Sequence, residues 1–263
     1  MIACWRDRTT PLASPPMRIR EFVLVGAVAG APAALSAQLP AKFENLQYFP
    51  KDIARDTLVN VMRGFSFALG VRCQYCHAGG DGVSFKDVEF KSDDKPTKRK
   101  ARYMLRMADT INDRLLAALP DRSAPPVRIS CVTCHHGLSK PATLASTLTA
   151  TIESKGPDSA IAQYRRLREN TMTQGTFDFG QWSMNELART LSERGKTAEA
   201  IAMLELNQEF YPQSAEIDFM IAELHRQRGE KDQALARYRS TLLKDPNNAR
   251  AKQRLADMGA SPT

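Results

Sequence analysis

The chain has 263 residues, of which 43% are apolar, 7% aromatic and 25% charged, enough to build packed cores and too apolar for intrinsic disorder. Lysine and arginine outnumber aspartate and glutamate 37 to 29, which favours partners with negative surface without naming one. Five cysteines are too few for a disulfide scaffold and the four histidines are rarer still, so their arrangement carries the information.

In chain order, Met17-Arg18-Ile19-Arg20 places positive charge ahead of an apolar run at 22–37. That run is shorter than the roughly 20 residues a spanning helix needs, and Gly and Pro interrupt it. Leu35-Ser36-Ala37 ends in the small residues an export peptidase accepts. Residues 1–37 therefore read as a secretory signal peptide with its start at Met17 and cleavage after Ala37, an uncleaved anchor being the alternative. The expected location is periplasmic, or cell-envelope or extracellular, and Cys4 leaves with the leader.

The spacing of Leu58, Met62, Phe65 and Leu69 predicts an amphipathic helix over 56–69, stopped by Gly70. Cys73-Gln74-Tyr75-Cys76-His77 follows at once. Residues 78–100 are Gly-rich, then charged, with Lys86, Lys91, Lys95, Lys98, Arg99 and Lys100. They read as a solvated loop, or alternatively as a positive rim that steers an acidic partner. A second helix is predicted over 97–119, with Ala101, Met104, Ala108, Ile111 and Leu115 on one face and Met107 slightly aside. Beyond it lies Cys131-Val132-Thr133-Cys134-His135.

Both cysteine pairs thus have the form C-x-x-C-H, the attachment site of c-type haem. Two thiols three residues apart on a helical turn reach the two haem vinyl groups, and the next residue aims its imidazole at the iron. A Cys4 zinc site would not require His after each pair, and the separation of the pairs is too long for a zinc ribbon. A thioredoxin-like redox motif expects a βαβ context that is missing, and disulfides would leave both histidines unexplained. Two covalently bound haem c groups are therefore expected, attached through Cys73, Cys76, Cys131 and Cys134, with His77 and His135 as axial ligands of the iron.

The sixth iron ligand must come from elsewhere. His136 adjoins His135 and cannot reach the opposite haem face, and His225 lies far along the chain, so methionine is the candidate, as in many electron carriers. A turn at Gly70 lets the first motif fold back on its helix and places Met62 across from His77. On the second helix Met104 lies on the apolar stripe and Met107 one turn on, and either is eligible.

Asn45-Leu46-Gln47-Tyr48-Phe49-Pro50, Met62 to Phe65, the run from Leu69 to His77, Lys100 to Met107, Ile111-Asn112 and Val132 to Gly137 resemble the photosynthetic reaction centre cytochrome c subunit family. The resemblance covers about residues 42–142. It implies that each haem segment is a helix bearing the axial Met, a turn, and a helix bearing C-x-x-C-H. It pairs Met62 with His77 and Met104 with His135, Met107 being the fallback. The usual subunit carries four haems where this chain has two motifs, and Arg usually stands where His136 does. The resemblance accordingly favours a dihaem electron carrier over a role in photosynthesis.

Past Pro141 a period appears. Gly195, Ala200, Leu204 and Pro212 recur 34 positions later as Gly229, Ala234, Tyr238 and Pro246, the spacing of tetratricopeptide repeats. A degenerate unit at 142–170 precedes these, and residues 248–258 are expected as a terminal helix. Residues 171–181 interrupt the array, either as an inserted loop or as a segment packed on the haem domain. His225 is expected to make an interhelical polar contact.

The expected fold is all-α, a small dihaem cytochrome c helical domain at 38–141 followed by a tetratricopeptide-like helical repeat domain at 142–263. The function expected of it is single-electron transfer between a redox protein donor and acceptor, with a membrane electron-transfer complex or reaction centre among the candidates. The repeat surface is expected to meet a protein partner, and no nucleic acid is expected. The alternatives are a peroxidase-like haem enzyme with one open iron site and a haem-bearing scaffold or sensor.

Overall fold

Helix α1 (Arg55–Leu69) forms where the apolar spacing places it and buries Leu58 and Ala68. The computed structural model describes residue 40 and residues 42–261, so the signal peptide expected at 1–37, with its expected start at Met17, lies outside the described residues. Gly70 ends α1 at φ 63°, and the Val71 N–H donates to the Ser66 carbonyl at 3.0 Å, closing the helix in the left-handed turn glycine favours. Cys73–Tyr75 is a short 3₁₀ turn. A two-stranded antiparallel pair follows, β1 (Ala78–Gly79) with β2 (Val88–Glu89), Ala78 opposite Glu89.

Helix α2 (Pro96–Thr110) begins on a proline, which costs nothing in a first turn because that N–H has no helical partner. It passes into a π-helical turn at Ile111–Leu115 and a 3₁₀ turn at Leu116–Ala118, so the helix predicted over 97–119 is regular only to Thr110. Its inward face also differs from the predicted stripe. Lys98 and Asn112 are buried and Ala101, Leu105 and Ala108 half-buried, whereas Met104 and Leu115 are exposed. The two polar residues turn inward because each finds backbone partners. The Lys98 Nζ donates to the Phe90 and Ser92 carbonyls, while the Asn112 amide exchanges hydrogen bonds of 2.9 and 2.8 Å with the Ile129 carbonyl and N–H. The second motif is helix α3 (Cys131–His135), started by a Ser130–Thr133 capping box and ended by His136 at φ 47°.

From Leu144 onward the described chain is built of helices joined by turns and one longer connection. The helices are α4 (Leu144–Lys155), α5 (Pro157–Thr171), α6 (Gln181–Glu193), α7 (Thr197–Phe210), α8 (Ala215–Gln227), α9 (Lys231–Lys244) and α10 (Ala249–Asp257). Gly195 and Gly229 make the turns of the α6–α7 and α8–α9 hairpins at φ 76° and 75°, and Ala200 and Ala234 are fully buried at equivalent places. His225 makes a turn contact, its Nδ1–H donating at 2.5 Å to the Glu230 carboxylate just before α9.

Residues 171–181 join the array rather than loop away from it. Phe177 and Phe179 are buried in its core, Phe179 edge-on to Tyr164, and Tyr211 and Arg168 both donate to the Phe179 carbonyl. Thr176 is buried as well, and its hydroxyl approaches Gly137 just beyond the second motif.

The apolar core is divided unevenly. Between residues 42 and 143 only Leu58 and Ala68 are buried apolar side chains; all the others start at Leu144. Phe67, Tyr103, Met104, Met107, Val127 and Val132, by contrast, leave large apolar groups exposed around the two motifs. A segment of that size needs more buried apolar surface than two side chains provide.

Candidate haem sites

Cys73, Cys76 and His77 share one turn, in which the Cys73 carbonyl accepts from the N–H groups of both Cys76 and His77 at 3.2 and 3.0 Å. Helix α2 grips this turn from outside, with the Lys95 ammonium donating to the Gln74 carbonyl and the Thr97 hydroxyl to the Tyr75 carbonyl. Cys131, Cys134 and His135 share the single turn of α3. The four cysteines of the two motifs are free thiols. Burial pushes the Cys76 and Cys131 thiols up from their ordinary pKa, against a hydrogen bond with Thr97 in the case of Cys76.

The two imidazoles differ in their settings. Burial, and then the positive charge of Lys98, pull the His77 pKa from 6.5 down to about 4, which leaves the ring neutral at physiological pH. Its Nδ1 is buried and has no hydrogen-bond partner, and its ring centroid lies 5.0 Å from that of Phe90. The His135 Nδ1 instead lies 2.7 Å from the Leu138 carbonyl. A ring held through Nδ1 by a backbone carbonyl presents Nε2 in a fixed direction, the usual outer-shell arrangement of a metal-bound histidine.

Met62 is half-buried on α1, whereas Met104 and Met107 are 46% and 42% exposed on neighbouring turns of α2. The helices are cross-laced. The Met62-bearing α1 packs on the second motif, α3, while the Met104-bearing α2 holds the backbone of the first. Among the described residues no three His, Cys, Asp or Glu side chains converge on one point, so the cysteine pairs stay apart and do not form a Cys4 cluster. Free thiol pairs, an imidazole beside each and uncovered apolar side chains around them fit an apolar, iron-bearing macrocycle bonded to the chain.

Residues 38–156 match the family described as Photosynthetic reaction centre cytochrome C subunit. Cytochrome c-554 of Chloroflexus aurantiacus is 39% identical over 71 residues, which are 27% of this chain and 15% of that protein. The photosynthetic reaction center cytochrome c subunit of Thermochromatium tepidum is 29% identical over 117 residues, 41% of this chain and 25% of its own. That of Rubrivivax gelatinosus is 34% identical over 89 residues, 31% of this chain and 23% of its own. The chain thus spans a quarter or less of each of these relatives. Each of these three relatives is named as a cytochrome c.

Four contributors to the site escape a reading of sequence. Lys98 sits in a basic run whose neighbours Lys91, Arg99 and Lys100 are exposed, and only its spacing of three and seven from Ala101 and Leu105 hints that it faces inward. Asn112 fastens the stretch leading into α3, where a helix-interior Asn carries no such signal. Gln174 and Thr176 line a cavity of about 560 Å³ with Phe67, Arg72, Val132 and His136, a meeting of segments far apart in the chain.

Proposed function

We propose that the chain is an exported dihaem c-type cytochrome that passes single electrons between a redox protein donor and acceptor. The observation that carries this reading is the pair of C-x-x-C-H turns, each bringing two free thiols and one imidazole together within five residues. Haem bound there supplies reversible one-electron exchange at iron. Cys73 and Cys76 are assigned the thioether bonds of the first haem, and Cys131 and Cys134 those of the second. His77 and Met62 are assigned to the first iron, His135 and Met104 to the second, with Met107 as the alternative.

The remaining chain serves those assignments. Neutral His77 offers a lone pair without first losing a proton, and the Leu138 carbonyl keeps the His135 ring from rotating. Lys86, Lys91, Arg99 and Lys100 face solvent near the first motif and favour a partner with acidic surface, an attraction that salt weakens. Reaction centres and other membrane electron-transfer complexes are the partner class suggested by the relatives. We assign residues 38–141 to the haem domain and 142–263 to tetratricopeptide-like repeats that dock or assemble it. The repeat period in the sequence and the equivalent places of Gly195 and Gly229 support that assignment. Export after cleavage at Ala37 places the protein in the periplasm or cell envelope.

The test is the intact mass and spectrum of protein made in a host that matures c-type cytochromes. The expected result is a polypeptide carrying two haem masses, with a near-infrared sulfur-to-iron band from both irons. A polypeptide without haem overturns the proposal, and a high-spin spectrum from one iron moves it to the peroxidase-like alternative.

A further inference from the structure

Lys98 is the one lysine or arginine buried among the described residues, with 9% of its surface exposed. Burying an ammonium is costly unless acceptors replace its water. Its Nζ donates to the Phe90 carbonyl at 2.7 Å and to the Ser92 carbonyl at 2.6 Å, and lies 3.3 Å from an Asp93 carboxylate oxygen. Phe90 is the residue whose ring lies against His77 at 5.0 Å. The ammonium therefore fastens the loop that covers the first imidazole. Its charge is only partly cancelled, because Asp93 is shared with Arg102 at 2.8 Å and its side chain is 32% exposed. Lys98, Arg102 and Asp93 together leave one net positive charge, and the two cations, 11% and 13% exposed, are less screened by water than the carboxylate.

Resting on the function proposed above, we propose that Lys98 sets the reduction potential of the iron held by His77. A fixed positive charge near an iron disfavours its more positive, oxidised state and so raises the potential. The Phe90 loop held by the same ammonium keeps water from the imidazole, which works in the same direction. Lys98 is thus a positioning and electrostatic residue for the first iron and touches no reacting atom itself. Among the described residues no other lysine or arginine is buried, and the His135 Nδ1 lies 2.7 Å from the neutral Leu138 carbonyl. The two irons are expected to differ in potential, the first being the higher.

The test is spectroelectrochemical titration at neutral pH of wild-type holoprotein and of Lys98→Met, Lys98→Arg and Asp93→Asn. Lys98→Met is expected to lower one of the two midpoints and leave the other in place. Lys98→Arg is expected to keep both, and Asp93→Asn, which removes the opposing charge, to raise the midpoint that Lys98→Met lowers. A loop that merely loosened would shift the Met and Asn variants in the same direction, and that result overturns the inference, as does an unchanged midpoint in Lys98→Met. If Lys98→Met fails to mature, the sign of the Asp93→Asn shift decides. Wild-type protein without haem defeats the proposed function itself, whereas two haems indifferent to Lys98 and Asp93 defeat only this inference.

Discussion

The backbone N–H of Gly137 donates to the Ala68 carbonyl at 2.9 Å, joining the end of the helix before the first motif to the residue two places past His135. The chains pass so closely there that a Cβ on Gly70 would lie 2.0 Å from the Gly137 carbonyl oxygen. Both glycines have positive φ, 63° and 83°. One contact thus sets the spacing of the two motifs.

Gly70→Ala is therefore expected to cost about 2–4 kcal/mol, combining the left-handed strain of a residue with a Cβ and a clash against backbone that cannot rotate away. Gly195→Ala has similar φ strain but nothing within 4 Å of the added carbon, so it is expected to cost about 1 kcal/mol. Denaturant unfolding followed by circular dichroism compares the two, and equal losses would remove the steric argument.

Met62→Ala and Met104→Ala are each expected to abolish about half of the near-infrared sulfur-to-iron absorption of the oxidised holoprotein, and Met107→Ala to leave it intact. Met104 and Met107 stand three residues apart on one side of α2 with almost equal exposure, so burial does not separate them and only the spectrum can. Loss of the band in Met107→Ala alone would exchange their roles.

Tyr48 ties the segment before α1 to α2 through a 2.8 Å hydrogen bond to the Asp109 carboxylate. Burial, and then that bond, push its hydroxyl up from 10.0 to about 12. A raised phenol stabilises the fold fully below its unfolded value of 10.0, and the contribution disappears as pH rises through about 12. Tyr48→Phe is expected to cost about 1 kcal/mol at neutral pH. Its melting temperature should also converge with that of the wild type in strong alkali, as thermal melts across that range would record.

Asp218 is fully buried in the helical array and takes Lys244 at 2.5 Å, Gln208 at 2.6 Å, Ser240 at 2.9 Å and Arg237 at 3.2 Å. Burial alone would raise its pKa, but hydrogen bonds from Lys244, Gln208 and Ser240 outweigh it and the net shift is downward. Its stabilising contribution is accordingly complete above the ordinary value of 3.8 and lost as pH falls through the lower folded value. Asp218→Asn is expected to cost about 3 kcal/mol, the low end for a broken buried pair because Lys244 and Arg237 still reach water. Urea unfolding at neutral pH measures the loss, and a change below 1 kcal/mol or so would mean the cations re-solvate freely.

Much of the candidate site is legible because its signals are short-range. Cys73 to His77 and Cys131 to His135 carry their chemistry in five consecutive residues, and Gly70 ends α1 where the apolar stripe ends. The face of α2 is not legible in that way. Apolarity alone selects Met104, Ile111 and Leu115 for the inside, yet Lys98 and Asn112 turn inward because Phe90, Ser92 and Ile129 offer backbone atoms there. Likewise Phe177 and Phe179 look like loop residues until Tyr164 and Tyr211 are in place to receive them.

Residue order alone therefore determined the two cysteine–histidine turns, the helices flanking them and the 34-residue period, since each depends on neighbours within one or a few turns. Only the tertiary structure decided that α1 lies on the second motif while α2 clasps the first, that Gly137 meets Ala68, and that a buried lysine fastens the Phe90 backbone beside His77. Those arrangements follow from which polar atoms find partners when distant segments meet, and hydrogen-bond satisfaction between such segments leaves no local periodicity to read.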